Sequence, residues 1–142
     1  MERVTPPARM QAEKAGYTIL VVDDDPPILQ AVRRILEQAD YVVLTSPSGD
    51  HAWNVVRRGH ARVDLVLTDI VMPGSLDGFA LAAKVRQREL KLTVLFMTGA
   101  LPEDDESAAE IAKKGLMLRK PFSPKQLLEF IDSHLFGPGV GE

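Results

Sequence analysis

The fold of this chain is decided by residues 64–74, which read Asp64-Leu65-Val66-Leu67-Thr68-Asp69-Ile70-Val71-Met72-Pro73-Gly74. The apolar run at 65–67 predicts a buried strand, and the Pro-Gly pair at 73–74 predicts a turn soon after it. Asp69 therefore stands at the carboxyl end of a buried strand, the edge where ligands bind in open α/β sheets. Because Asp also often does no more than open a turn, a purely local role remains the alternative for Asp69.

Apolar strands alternate with amphipathic helices along the whole chain. Strands are predicted at 18–22, 41–45, 64–68, 92–97 and 116–118. The helices between and after them are predicted to begin after Asp25, at Ser48, at Asp77, near Asp105 and after Ser123. Ala82 and Ala83 are expected on the inner face of the third helix. This alternation predicts right-handed crossovers and a parallel sheet in an α/β fold.

Composition narrows the possible classes of protein. A length of 142 residues fits one domain, flanked here by a predicted flexible extension at 1–16 and a tail at 137–142. The net charge of -3 argues against a mainly electrostatic nucleic-acid binder. The absence of cysteine excludes disulfides. No apolar run is long enough for a membrane span, and no signal peptide is evident, so a cytoplasmic protein is expected.

Polar side chains follow four of the predicted strands: Asp23 and Asp24, Asp69, Thr98, and Lys120. The carboxyl ends of parallel strands share one edge, so we expect these groups to converge. Carboxylates suit Mg²⁺, Lys and hydroxyl groups donate to phosphate oxygens, and an aspartate can act as a nucleophile. The set suits the formation of an acyl phosphate on an aspartate. A solvated acidic turn that caps the next helix is the alternative for residues 23–25.

Together these motifs resemble the receiver domain of bacterial two-component response regulators. The resemblance covers roughly residues 17–136 and rests on four segments in order: VVDDDP at 21–26, LTDIVMP at 67–73, MTGA at 97–100 and KPF at 120–122. It implies a receiver domain at 17–136 with a flavodoxin-like (βα)5 fold. In that fold a doubly wound, five-stranded parallel sheet has the order 2-1-3-4-5.

The resemblance also implies a magnesium site. Asp69 would be the phospho-acceptor and, with Asp24, a direct ligand of Mg²⁺. The backbone carbonyl of Val71 would be the third protein ligand, and Asp23 would hold a metal-bound water.

Thr98 and Lys120 would contact the phosphoryl group, and Lys120 would pair with Asp69 beforehand. A cis bond is implied between Lys120 and Pro121. The implied function is acceptance of a phosphoryl group from a sensor histidine kinase or a histidine phosphotransfer protein, not enzymatic turnover. No output domain follows, so we expect a stand-alone receiver that signals to an unidentified protein and is a monomer or weak homodimer.

Two features depart from the family pattern. Met117 occupies the position three residues before the lysine, where most receivers carry an aromatic residue, and this predicts a blurred aromatic switch. One extra residue lies between Pro73 and Asp77, as in receivers that belong to or partner hybrid kinases. The three histidines, His51, His60 and His134, have no metal-ligand spacing and are expected at the surface.

Two rival functions are considered. A haloacid-dehalogenase-like phosphatase would use an Asp-x-Asp pair such as Asp23 and Asp25. It would leave Asp69 without a role, and it needs later acidic ligands for which only Glu129 and Asp132 are available. A pseudo-receiver, which binds proteins without phosphorylation, is favoured only by Met117.

Overall fold

One five-stranded sheet organises the molecule. The computed structural model describes residues 14–59, 61–88, 91–99 and 106–137. All neighbouring strands pair in parallel, in the order β2-β1-β3-β4-β5, which confirms the predicted fold. Within the described residues, no helix combines the length and apolarity needed to cross a bilayer. The elements are β1 (Thr18–Val22), α1 (Pro26–Gln38), β2 (Val42–Ser46), α2 (Gly49–Arg58), β3 (Leu65–Asp69), α3 (Gly78–Arg88), β4 (Thr93–Thr98), α4 (Glu106–Lys113), β5 (Met117–Arg119) and α5 (Pro124–Phe136).

Helices cover both faces of the sheet, so the strands are apolar on both sides. Alternate strand residues point to opposite faces, and they divide the core in two. One half joins the sheet to α1 and α5 through side chains that include Val32, Leu36, Leu127 and Ile131. The other half joins it to α2 and α3 through Ala52, Leu81, Ala82 and Val85.

Four of the five strands begin one residue later than predicted. At β2 the reason is visible at Tyr41, whose amide donates to the carbonyl of Leu36 and closes the end of α1. The Tyr41 ring is buried in the core, so its place in the apolar run reflects core packing and not membership of the strand. The same four strands also end one residue later than predicted. Asp69 is therefore the last residue of β3, and Thr98 is the last residue of β4.

The helices begin where the capping signals predict, but two predictions about individual helix residues are corrected. The Ser123 hydroxyl and the Gln126 side chain form a reciprocal capping box at α5. Asp25 occupies the N-cap position of α1, but its side chain makes no capping hydrogen bond. Ala83 is exposed and was wrongly assigned to the inner face of α3, since the buried positions 81, 82 and 85 follow the helical period.

The end of the predicted N-terminal extension packs against α5. Residues 1–13 lie outside the described part of the chain, but Lys14 is buried and its ammonium lies 3.1 Å from Oδ2 of Asp132. The Tyr41 hydroxyl donates to the other oxygen of Asp132, and the Lys14 ammonium lies 5.4 Å from the centre of the Tyr41 ring. These contacts hold Lys14, the first described residue of the predicted extension, against the domain.

Candidate functional site

The predicted acidic residues converge at the carboxyl edge of the sheet. Asp23 and Asp24 follow β1, and Asp69 ends β3, the strand beside it. Each carboxylate offers an oxygen, and these oxygens lie within 4.8 Å of one another. Asp23 is buried, Asp69 is half-buried and Asp24 is exposed. The cluster is therefore open to solvent on one side.

Backbone amides hold two of these carboxylates in place. Oδ1 of Asp23 accepts a 2.9 Å hydrogen bond from the amide of Asp25, and Oδ1 of Asp69 accepts one of 2.8 Å from the amide of Ile70. At α3, a Cβ on Gly78 would lie 2.3 Å from the Asp69 carbonyl oxygen, so only glycine permits this approach. The loops, and not only the strands, thus determine the direction of the carboxylates.

Lys120 links Asp23 and Asp69, the two members of the cluster that are not exposed. Its ammonium lies 2.7 Å from Oδ2 of Asp23 and 3.3 Å from Oδ2 of Asp69. The backbone amide of Lys120 donates to the Thr98 carbonyl at 2.8 Å, which joins the end of β5 to the end of β4. The bond from Lys120 to Pro121 is cis. Lys120 therefore pairs with Asp69, as the sequence suggested, but its shorter contact is to Asp23.

The electrostatics of the site are set by burial and by this ion pairing. Burial raises the pKa of the Asp69 carboxyl above its ordinary value; the charge of Lys120 opposes the shift, and that of Asp23 adds to it. For Lys120, burial lowers the pKa, but hydrogen bonds and charge from Asp23 and Asp69 outweigh it, so the pKa is raised. Lys120 thus remains a cation throughout the physiological pH range.

The donor set fits a magnesium ion. Three carboxylates within 4.8 Å of one another supply hard oxygen ligands, and Mg²⁺ typically takes one or two protein carboxylates and keeps several waters. Asp24 is the exposed member of the cluster and follows the buried Asp23 directly. Val71 follows Asp69 by two residues and is 67% exposed, so solvent reaches this part of the loop.

Of the other two positions discussed from the sequence, Thr98 ends β4 at this edge, whereas Met117 is the first residue of β5. Thr98 is buried at the end of β4, next in the sheet to β3, which carries Asp69. Met117 pairs with Phe96 in the β4–β5 register and packs half-buried against the α2–α3 half of the core. Its predicted effect on switching remains a prediction.

Sequence reasoning missed the role of the α2 opening turn (Ser48–His51), which was recognised only as a helix start. Asp50 accepts hydrogen bonds from Ser75 in the loop after Asp69, and the His51 ring contacts Ser46 at the end of β2. The first of these contacts spans 25 residues of sequence, and no local pattern indicates it. Of the other histidines, His134 packs half-buried against Phe130, and position 60 lies outside the described residues.

An apolar groove borders Lys120. It has a volume of about 480 Å³ and runs between α1 and the segment after β5. The residues that line it are Ile28, Ala31, Val32, Ile35, Gly99, Lys120, Pro121 and Phe122.

Comparison with known proteins gives a consistent result. The family model described as "Response regulator receiver domain" matches residues 19–132. The response regulator GtcR of Aneurinibacillus migulanus is 33% identical over 118 residues, which are 83% of this chain and 47% of that protein. The chain thus spans about half the length of the first curated relatives that it matches.

Solved structures resemble the chain over most of their length. A response regulator receiver domain protein from Clostridium thermocellum is 29% identical, with a TM-score of 0.70, covering 82% of this chain and 92% of that one. The response regulator TrrA from Thermotoga maritima, solved in complex with Mg²⁺-BeF, is 26% identical, with a TM-score of 0.71 and coverages of 82% and 97%.

Proposed function

Since this chain belongs to the response regulator receiver domain family, we propose that it accepts a phosphoryl group on Asp69 from a phosphohistidine. The donor would be a sensor histidine kinase or a histidine phosphotransfer protein. The observation that carries the proposal is the ammonium of Lys120 beside both Asp23 and Asp69, at an acidic edge that fits Mg²⁺. Phosphoryl transfer depends mainly on such positioning and charge neutralisation.

Asp69 is the nucleophile in this proposal. One of its carboxylate oxygens forms a bond to phosphorus as the bond from phosphorus to the histidine nitrogen breaks, which leaves an acyl phosphate and a neutral imidazole after proton uptake. Lys120 and Thr98 donate to the phosphoryl oxygens. Lys120 already lies 3.3 Å from Asp69, so it needs only a small movement to follow the transferred group.

Mg²⁺, when bound, offsets negative charge on the phosphoryl oxygens. Asp24, Asp69 and the carbonyl of Val71 are the proposed protein ligands, and Asp23 is proposed to hold a metal-bound water. Asp23 also keeps Lys120 at the site through their 2.7 Å contact. TrrA, to which the chain is similar, was solved in complex with Mg²⁺-BeF, and this supports a magnesium site in the chain by similarity.

The apolar groove beside Lys120 is the proposed docking surface of the phosphodonor. Ile28 and Ile35 of α1 and Phe122 are only partly buried there, so they can contact a partner. Lys120 at the edge of the groove places the docked surface next to Asp69. A donor helix with an apolar stripe and a phosphohistidine at its margin would match this chemistry.

The receiver unit is proposed to span residues 17–136, with Lys14 held against it by Asp132. Phosphorylation adds charge beside Thr98 and Lys120 and would bias the surface of α4, β5 and α5 toward a second state. The chain would transmit that state to a partner protein, or pass on its phosphoryl group, in the cytoplasm. Apart from its own phosphorylation and dephosphorylation, no catalytic turnover is expected.

Intact mass spectrometry after incubation with acetyl phosphate tests the proposal. Wild type and Asp69→Asn are compared with and without Mg²⁺. A single phosphoryl adduct that requires both Asp69 and Mg²⁺ is the expected result. A folded wild-type protein that gains no adduct under any condition would contradict the proposal and favour a phosphorylation-independent binding module.

A further inference from the structure

The loop between Asp69 and α3 is held by the α2 opening turn. The Ser75 hydroxyl donates to Oδ1 of Asp50 at 2.5 Å, and the Ser75 amide donates to Oδ2 of Asp50 at 3.2 Å. Both carboxylate oxygens of Asp50 are thus used by one residue of the loop. This two-point contact restrains the position and the orientation of the loop backbone.

Two glycines permit this close approach. A Cβ on Gly49 would lie 2.2 Å from the Leu76 carbonyl oxygen, and a Cβ on Gly74 would lie 2.9 Å from Oδ2 of Asp50. Gly74 also has a φ of 100°, which residues with side chains rarely adopt. Leu76 is buried. Gly74 and Leu76 flank Ser75 in the part of the loop that contains the extra residue.

The same turn also reaches the other half of the acidic cluster. Nδ1 of His51 lies 2.7 Å from the hydroxyl of Ser46, a buried residue. The backbone carbonyl of Ser46 in turn accepts a 3.2 Å hydrogen bond from the amide of Asp23. The α2 opening turn therefore contacts the loop that follows Asp69 and the strand end that supports Asp23. Neither Asp50 nor His51 belongs to the acidic cluster itself, which consists of Asp23, Asp24 and Asp69.

We propose that Asp50 is a positioning residue for the phosphoryl-transfer site: through Ser75 it fixes the loop that follows Asp69 and carries the proposed Val71 ligand. The inference rests on the proposed function, since it concerns the same magnesium site. Because the Val71 side chain is exposed, its own packing does not fix its carbonyl. Its backbone position is set by its neighbours, the buried Ile70 and Met72, and by the Asp50–Ser75 contact beyond them.

The first experiment measures Mg²⁺ binding by calorimetry without any phosphodonor. Asp50→Ala is expected to weaken Mg²⁺ binding by about ten-fold, as is typical when a residue that orients a ligand is removed, and Ser75→Ala should weaken it by less, because the hydrogen bond from the Ser75 amide remains. The double variant is expected to be little weaker than Asp50→Ala, because Asp50→Ala already removes both hydrogen bonds from Ser75. Asp50→Asn keeps one acceptor oxygen and should lie between wild type and Asp50→Ala.

Two controls separate positioning from charge. Ser75→Ala removes the hydrogen bond from the hydroxyl, while the hydrogen bond from the backbone amide and the negative charge of Asp50 stay in place. Asp50→Asn removes that charge but keeps an oxygen that can accept from Ser75, and its Mg²⁺ affinity should stay above that of Asp50→Ala. If Asp50→Asn weakens Mg²⁺ binding as much as Asp50→Ala does, and Ser75→Ala does not weaken it, the effect of Asp50 is electrostatic and the proposal is wrong.

A matched pair of glycine variants provides an independent test. Gly74→Ala and Gly115→Ala both introduce a side chain at positive φ (100° and 71°), but only the new methyl group at 74 meets another atom, Oδ2 of Asp50. Both variants should lose stability, whereas only Gly74→Ala should weaken Mg²⁺ binding. Equal Mg²⁺ affinities for the two variants would contradict the positioning role.

The dependence of acetyl phosphate labelling on Mg²⁺ concentration completes the test. For Asp50→Ala and Ser75→Ala, we expect the half-saturating Mg²⁺ concentration to rise and the plateau rate to stay close to wild type. Unchanged half-saturation in a wild type that labels normally would overturn the inference and leave the proposed function intact. If the wild type does not label, the proposed function fails, and the Mg²⁺ isotherms alone decide whether Asp50 positions the loop.

Discussion

The ammonium of Lys120 donates a 2.7 Å hydrogen bond to Oδ2 of Asp23, a carboxylate with no exposed side-chain surface. The contact of Lys120 with Asp69 is longer, at 3.3 Å. Lys120 is therefore held mainly by a neighbour of the proposed acceptor and less by the acceptor itself. This arrangement keeps the cation at the site while Asp69 remains accessible to an incoming phosphoryl group.

Replacement of Lys120 by methionine should separate Mg²⁺ binding from phosphoryl transfer. Asp23 and Asp69 lose their cation, so Mg²⁺ should bind more tightly, whereas labelling by acetyl phosphate should slow by roughly 100-fold because a donor to the transferred group is lost. Calorimetry and intact mass measure the two effects. The control is Lys125→Met, which removes an exposed ammonium 3.9 Å from Glu129. Labelling of Lys120→Met at the wild-type rate would contradict the role of Lys120.

A charge placed in the apolar groove should block a protein donor but not a small one. Ala31→Glu adds a carboxylate to the groove wall, and we expect transfer from a phosphorylated histidine phosphotransfer protein to slow by about ten-fold or more. Labelling by acetyl phosphate should be unaffected. Gln38→Glu adds the same charge at the last residue of α1, outside the groove. Equal slowing by both variants would show that the groove is not the docking surface.

Alkaline pH should remove the stabilising effect of Tyr41. Burial, followed by the hydrogen bond to Asp132, raises its pKa well above the ordinary value. The phenol therefore stays protonated in the folded chain, whereas in the unfolded chain it ionises above about pH 10. The stabilisation by Tyr41 is complete below the pKa of the phenol in the unfolded chain. It is lost as the pH rises from that pKa toward the higher pKa of the folded chain.

Urea unfolding of wild type and Tyr41→Phe measures this effect. At neutral pH the wild type should be more stable by about 1 kcal/mol, because it retains the hydrogen bond to Asp132. The difference should shrink as the pH rises above about 10. Other groups titrate in both proteins and cancel. A difference that is independent of pH would show that Tyr41 ionises equally in the folded and unfolded chains.

The capping box of α5 should make a measurable contribution to stability. Ser123→Ala removes the hydroxyl that accepts from the Gln126 amide at 3.1 Å, and we expect the free energy of unfolding to fall by about 1 kcal/mol. Ser133→Ala is the control, because its hydroxyl contacts groups within the same helix, the Phe130 carbonyl at 2.9 Å and Nδ1 of His134 at 3.4 Å, and its effect should stay within about 0.5 kcal/mol. Thermal or urea denaturation measures both, and equal losses would contradict the capping role.

The order of elements and the edge that bears the site could be predicted from the sequence. Alternation of apolar runs with helical periods implied a parallel sheet, and in such a sheet the ends of β1, β3, β4 and β5 share one edge. That rule brought Asp23, Asp69 and Lys120 together before any distance was known. Strand boundaries were less predictable. The Tyr41 ring is buried in the core, as a strand residue could be, but the Tyr41 amide donates to the Leu36 carbonyl at the end of α1, so the strand begins one residue later.

The sequence by itself determined where strands and helices form, through the spacing of its apolar residues, and which polar groups end the strands. Only the tertiary structure decided which of those groups touch. It decided that Lys120 lies closer to Asp23 than to Asp69, that Lys14 is buried against Asp132, and that Asp50 holds Ser75. The physical reason is that such contacts join residues far apart in the chain, and the packing of whole elements, not a local pattern, sets their distances.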